Sequence, residues 1–302
     1  MHFAPSEEQR ELAAAVRDML VKECPPDVAR AGDVDRVWPK LAEIGVLGLT
    51  VPESRGGLGF GLVEAVGVLE EAGRVALPGP LPETYAALTV ADDDWVGRIA
   101  SGEVQVTAAA PFAAYADTAD AIVVGDKVTA DLDVTPVQSV DPARPLFAVD
   151  DAAASGAAYD VGALAVAAYL VGVARSMVEQ SVAYALTREQ FGVPIGSFQA
   201  VKHRLADAHL GVEFARPVVQ AAAWALDHDA STAQRDVSHA KVRATRAAQH
   251  VAKAALQVHG AIGYTEECDL VVWLRRTWSL ATAFGDERAH RDRIAASMER
   301  PT

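Results

Sequence analysis

The sequence predicts a mainly α protein in which a small β region separates an N-terminal helical part from a C-terminal bundle of long helices. Two observations carry this. Apolar residues recur at helical spacing up to about residue 100 and again from residue 156 onward, with Ala-rich segments at about 158–187, 197–228, 232–258 and 266–283. Between them, residues 102–150 break into short β-prone runs divided by Asp, Gly and Pro.

The elements follow in order. Ser6 stands as an N-cap before acidic Glu7 and Glu8, and Leu12, Val16, Met19 and Leu20 continue at helical spacing, so a helix is expected from Ser6 to Glu23. Pro25 and Pro26 stop it. Residues 37–44 and 62–73 have the same character, joined by the Gly-rich stretch 56–61. That stretch reads as a helix connection, because no strand precedes it as a dinucleotide fingerprint requires. The β-prone runs are VQVTAAA, AIVVG, KVTADLDV and PLFAV. The long C-terminal segments suit an antiparallel four-helix bundle with short connections. The expected divisions are 1–101 (helical domain), 102–155 (β region) and 156–302 (bundle).

Composition bounds the function classes. The formal charge is −14 and the pI about 5.0; phosphate-backbone binding needs clustered Lys and Arg, so nucleic acid is not an expected partner. The longest apolar run, residues 161–174, is short for a membrane span and reads as a buried helix. The start MHFAPSEE has no basic or apolar leader character, so a cytoplasmic location is expected. Cys24 and Cys268 make neither a disulfide framework nor a metal set, and His239, His250, His259 and His290 lack ligand spacing. Arg288, Arg291 and Arg293 read as a solvated helix face.

Three segments share a resemblance. Residues 41–74 carry L-G-x-x-G-L-like, V-P-E-x-x-G-G-x-G and L-E-E-x-G-R elements; residues 187–207 read TREQFGVPIGSFQAVKHRLAD; residues 257–292 hold Q-x-x-G-A-x-G-Y-T, an Arg pair and a late Phe284-Gly285. In this order they resemble the flavin-dependent acyl-CoA dehydrogenases. The resemblance implies the acyl-CoA dehydrogenase fold, with a β region about half the usual length. It also implies FAD as cofactor, an acyl-CoA as substrate and an electron-transfer flavoprotein as redox partner.

The resemblance also locates what is missing. Where the family carries its proton-abstracting Glu before the late Gly, this chain has Phe284, and at the alternative base position, early in the first long helix of the bundle, it has Gly162. Neither side chain accepts a proton, and a base must come within roughly 3 Å of the proton it takes. No catalytic residue is therefore assigned. Glu266, Glu267 and Asp269 read as first-turn carboxylates. The family's flavin-ring segment has no counterpart in VTAAAPFAAYADTAD. By contrast, the elements that in family dimers hold the adenosine-pyrophosphate arm of the neighbour's FAD are present: Arg188, Phe191 and Gln199 in the first, Gln257, Gly260 and Ala261 in the second. The chain thus resembles the base-less subunit of actinobacterial heteromeric (α2β2) acyl-CoA dehydrogenases, often of steroid side-chain catabolism, beside a homologous base-carrying subunit. A self-sufficient homomer with an unrecognised base and a flavin-free scaffold are the alternatives.

Overall fold

The structure is a computed structural model that describes residues 6–150 and 153–298. Residues 1–5, on which the leader expectation partly rests, lie outside it. Helix α1 (Glu7–Glu23) begins in a reciprocal cap: the Gln9 amide donates to Ser6 Oγ at 3.1 Å and the Ser6 amide to Gln9 Oε1 at 2.9 Å. Pro26 then opens α2 (Pro26–Ala31) from its first position, where a missing N–H costs nothing. Helices α3 (Val34–Glu43) and α4 (Leu62–Arg74) lie where the periodicity places them, and α5 (Leu81–Leu88) and α6 (Asp93–Ala100) complete the N-terminal part.

The middle region forms two three-stranded sheets. β1 (Val106–Ala108) pairs in parallel with β3 (Ala121–Val124), which pairs antiparallel with β4 (Lys127–Thr129). β6 (Leu146–Val149) lies between β2 (Ala113–Ala114) and β5 (Val134–Val137), antiparallel to both. The run KVTADLDV therefore divides into β4 and β5; Asp131, at φ 57°, turns the chain between them.

The bundle differs from the sequence expectation in its fourth member. α7 (Gly156–Thr187), α8 (Gln199–Asp227) and α9 (Ala233–His259) have 32, 29 and 27 residues, but α10 (Leu270–Leu280) has 11 and is followed by α11 (Glu287–Met298). The acidic residues before α10 are held outside it: Glu266 pairs with Arg275, and Asp269 Oδ1 accepts from Arg30 at 2.7 Å. At the other end a positive φ at Phe284 breaks the chain before α11.

α7 is the axis of the protein. It is long and apolar enough to cross a membrane, yet 94% of its apolar window is buried inside the protein. Two glycines let α4 cross it at backbone contact: a Cβ at Gly73 would lie 2.0 Å from the Tyr169 carbonyl oxygen, and one at Gly172 1.9 Å from that of Glu70. Buried Arg276 ties α10 to the rest. It donates to Asp141 Oδ2 at 2.6 Å, to the Ala76 and Leu77 carbonyls at 3.0 and 2.8 Å, and to Tyr169 Oη at 2.7 Å.

Candidate functional site

The six residues singled out for cofactor contact converge on one end of the bundle, and all are exposed. α7 ends at Thr187, and β7 (Glu189–Gln190) and β8 (Val193–Pro194) form a hairpin closed by Phe191 and Gly192. Both turn residues have positive φ, 55° and 80°, as a type I′ turn requires. Glycine takes this conformation readily and phenylalanine does not, yet Phe191 stands there 93% exposed. Its only ring neighbour among the described residues is Phe198, edge-on at 6.2 Å. A core-packing role for Phe191 is thereby excluded. Arg188 uses its backbone on both sides, donating to the Tyr184 carbonyl and accepting from Ile195 at 2.8 Å each, but its guanidinium has no partner among the described residues.

Gln199 opens α8 beside this hairpin, and Gln257, Gly260 and Ala261 leave the end of α9. A small core joins the two segments: Ala185, Leu205 and Val258, with Tyr184, Ile195 and Val201 around them. The Tyr184 ring stacks on His259 at 4.4 Å. Gly260 takes φ 66°, ψ −145°, and a Cβ built there would meet nothing within 4 Å. The loop surface is therefore open to close approach by another molecule.

The other half of the expected site is closed. Phe284 is 1% exposed, and its ring fills the space beside Gly162: a Cβ at Gly162 would lie 2.1 Å from ring Cε1 and 2.3 Å from Cζ. The two positions that the resemblance marks for a base thus share one phenyl group. Sequence reasoning identified both residues without seeing that they fit one another. The turn around the ring is fixed at its backbone, where the Phe284 amide donates to the Ala110 carbonyl at 2.8 Å and His290 Nε2 lies 2.7 Å from the Phe284 carbonyl oxygen. Gly285, at φ 93°, passes so close to Tyr159 that a Cβ would lie 2.1 Å from its hydroxyl.

Two buried titratable groups lie in this region: Lys241, which the sequence reading does not name, and His290, which it reads only as a histidine without ligand spacing. Burial pushes Lys241 down to about 7 against the opposing pull of Asp286. Burial, with the charge of Lys241, pushes His290 down to about 4. The signal of Lys241 is faint: one isolated polar residue on an otherwise apolar face. Arg293 also departs from expectation, since it donates to Asp160 Oδ1 at 2.6 Å and lies over the Tyr159 ring at 4.9 Å, whereas Arg288 and Arg291 are exposed as expected.

His290 makes the fold pH-sensitive. Its unfolded-state value is near 6.5 and its folded value about 4. As pH falls through that window the unfolded chain takes up a proton that the folded chain refuses, so stability declines by about 3 kcal/mol. The melting temperature should therefore drop between pH 6.5 and 4, and His290→Gln should flatten the drop. An unchanged slope in the variant would assign the effect to other groups.

A cleft of ≈ 760 Å³ between α1, α4, α7 and α8 lies away from both halves. Its charges are mutually satisfied, with Arg17 on Glu71 at 3.0 Å and Arg175 on Glu70 at 3.1 Å. Among the described residues no group of three or more His, Cys, Asp or Glu is placed to hold a metal ion. Cys24 is buried, which pushes its thiol up to about 12 and leaves it unreactive.

The family model described as the acyl-CoA dehydrogenase C-terminal domain matches residues 153–299, and that of the N-terminal domain matches residues 6–90. The chain belongs to the acyl-CoA dehydrogenase family. Acyl-CoA dehydrogenase IpdE2 of Mycolicibacterium smegmatis is 32% identical over 97% of this chain and 99% of its own. Acyl-CoA dehydrogenase FadE34 of Mycobacterium tuberculosis is also 32% identical, over 94% of this chain but 44% of its own length. Among solved structures, the ChsE4-ChsE5 complex from Mycobacterium tuberculosis superposes with a TM-score of 0.86 at 25% identity, covering 100% of both chains. The Tcur3481-Tcur3483 steroid ACAD superposes equally well, 0.86, at 24% identity over 97% of this chain and 98% of its own. As an acyl-CoA dehydrogenase, the chain has the family's N- and C-terminal helical parts around a small β region.

Proposed function

We propose that this chain is the base-less subunit of a heteromeric acyl-CoA dehydrogenase, clamping the adenosine-pyrophosphate arm of an FAD whose ring lies in a homologous, base-carrying partner. The observation that carries the reading is Arg188. An exposed guanidinium without an internal partner, beside an open glycine turn and a solvent-facing Phe191, is suited to an anion arriving from outside the chain. The residues fit the arm of the cofactor: Arg188 neutralises pyrophosphate, Phe191 offers an aromatic face, and Gly260 permits backbone approach, Ala261 adding one methyl. They do not fit the reacting end, where Phe284 and Gly162 offer no proton acceptor. FAD supplies the redox chemistry of α,β-desaturation, and this chain contributes binding and orientation.

The proposed substrate of the assembly is an acyl-CoA, in particular a steroid side-chain CoA thioester, and the proposed electron acceptor is an electron-transfer flavoprotein. The full-length match to a chain of a two-protein complex supports the heteromeric part. The match to a steroid ACAD supports the fold alone.

Co-purification with the base-carrying partner tests the reading. One FAD per heterodimer is expected, and two would show that this chain also holds a ring. In that complex Arg188→Ala removes a charge-assisted contact worth about 1.5 to 3 kcal/mol, so FAD affinity should fall roughly ten- to a hundred-fold with folding unchanged by circular dichroism. Equal dissociation constants for variant and wild type would refute the clamp.

A further inference from the structure

Among the described residues Lys241 is the one lysine that the fold buries; Lys22, Lys40, Lys127, Lys202 and Lys253 are all exposed. It lies in the middle of α9 at 1% exposure and forms no ion pair among the described residues. Its Nζ instead faces three backbone carbonyl oxygens, those of Ala281 and Gly285 at 3.1 Å and Leu280 at 3.4 Å. Below its value of about 7 the side chain is an ammonium with three donors and no acceptor, which three carbonyls match fully. The Leu280 carbonyl also accepts from the Ala283 amide at 3.3 Å, whereas Lys241 supplies a donor to Ala281 at the C-cap of α10, where the helix dipole favours a cation.

We propose that Lys241 is the positioning residue of the α10–α11 turn: its ammonium gathers the Leu280, Ala281 and Gly285 carbonyls, fixes the left-handed pair Phe284–Gly285, and so seats the phenyl ring against Gly162. The backbone geometry calls for such an anchor. Phe284 sits at φ 50°, a conformation that persists in a non-glycine residue only when its surroundings over-determine it. Lys241 holds the turn from α9, and His290 holds the Phe284 carbonyl from α11 while its Nδ1 lies 3.2 Å from Ser238 Oγ, one turn before Lys241 on α9. Asp286 and Arg144 are the other charged groups acting on the ammonium. The outer face of the same turn, through Thr282 and Asp286, borders a surface groove of ≈ 620 Å³. The cation therefore sets an inner plug and an outer wall together. This inference stands on the chain's own geometry and not on the proposed flavin clamp.

The test compares Lys241→Met, which keeps the bulk without the charge, with Lys241→Ala, in the full chain. Amide hydrogen exchange over residues 280–286 should quicken by about tenfold or more in both, as expected when a buried hydrogen-bond donor is lost, while exchange in α7 stays at the wild-type level. Added n-propylammonium, the size of the deleted side chain, should restore protection in Lys241→Ala, and n-propanol should not. Wild-type protection in Lys241→Met, or equal rescue by the alcohol, would reduce Lys241 to a space-filler and overturn the proposal. If neither variant folds, lysine Nζ resonances of the wild-type chain decide. At pH 6, below the value of about 7 to which burial brings Lys241, one ammonium shielded from solvent exchange is expected, and rapid exchange at all of them would overturn it.

Discussion

Gly162→Ala should destabilise the wild-type chain and stabilise the Phe284→Ala chain. In the wild type the new methyl would enter the Phe284 ring, which is packed at 1% exposure and has nowhere to withdraw. Overpacking of this kind costs about 1 to 3 kcal/mol, more than the roughly 1 kcal/mol that alanine gains over glycine inside a helix. Phe284→Ala alone should cost about 3 to 5 kcal/mol, the range for deleting a buried phenyl group. With the ring gone, the methyl at position 162 partly refills the space and the helix-propensity gain remains. The double variant should then unfold later than Phe284→Ala alone. Thermal or urea denaturation of the four proteins gives the sign directly. If Gly162→Ala shifts stability in the same direction in both backgrounds, the ring and the glycine are not a matched pair.

That pairing marks where legibility in the sequence ended. Both residues were visible as departures from a family pattern, because each occupies a position where a carboxylate was expected. Their mutual fit was not visible, since it depends on α7 and the α10–α11 turn meeting across more than a hundred residues of chain. The same division runs through the other half of the site. Arg188, Phe191 and Gln257 stand out in the sequence by residue type and spacing as candidates for cofactor contact; that they lie at one end of the bundle depends on tertiary packing, in which Tyr184 stacks on His259. The three long helices were legible because their apolar period runs for many turns. α10 was overextended because Glu266 and Asp269 look like helix-opening carboxylates, whereas their partners Arg30 and Arg275 hold them in the preceding loop. Lys241 was missed because a lone lysine on a helix reads as surface, and only the carbonyls it faces show otherwise.

The adjacent Arg275 and Arg276 should differ sharply when replaced by alanine, although the sequence presents them as a pair. Arg275 pairs with Glu266 in a partly exposed loop, with side-chain exposures of 32% and 63%. Such a bridge contributes about 0 to 1 kcal/mol, and Arg275→Ala should stay within that range. Arg276 is 2% exposed and joins four separate parts of the chain: Asp141 of the β region, the Ala76 and Leu77 carbonyls, Tyr169 of α7 and its own helix. Its removal leaves Asp141, itself 2% exposed, without its buried counter-charge and strips two carbonyls and a phenol of a donor. Breaking a buried pair from one side costs about 3 to 5 kcal/mol, chiefly because the remaining charge is stranded. Asp141→Asn should accordingly recover part of the loss in the Arg276→Ala background while destabilising the wild type, because in the first case it removes the stranded charge and in the second it strands the guanidinium. Comparable losses for the two arginines, or no recovery from Asp141→Asn, would mean that the interior around Arg276 is wet enough to solvate a lone carboxylate, and the tie between the β region, residues 76–77, α7 and α10 would have to be sought in packing alone.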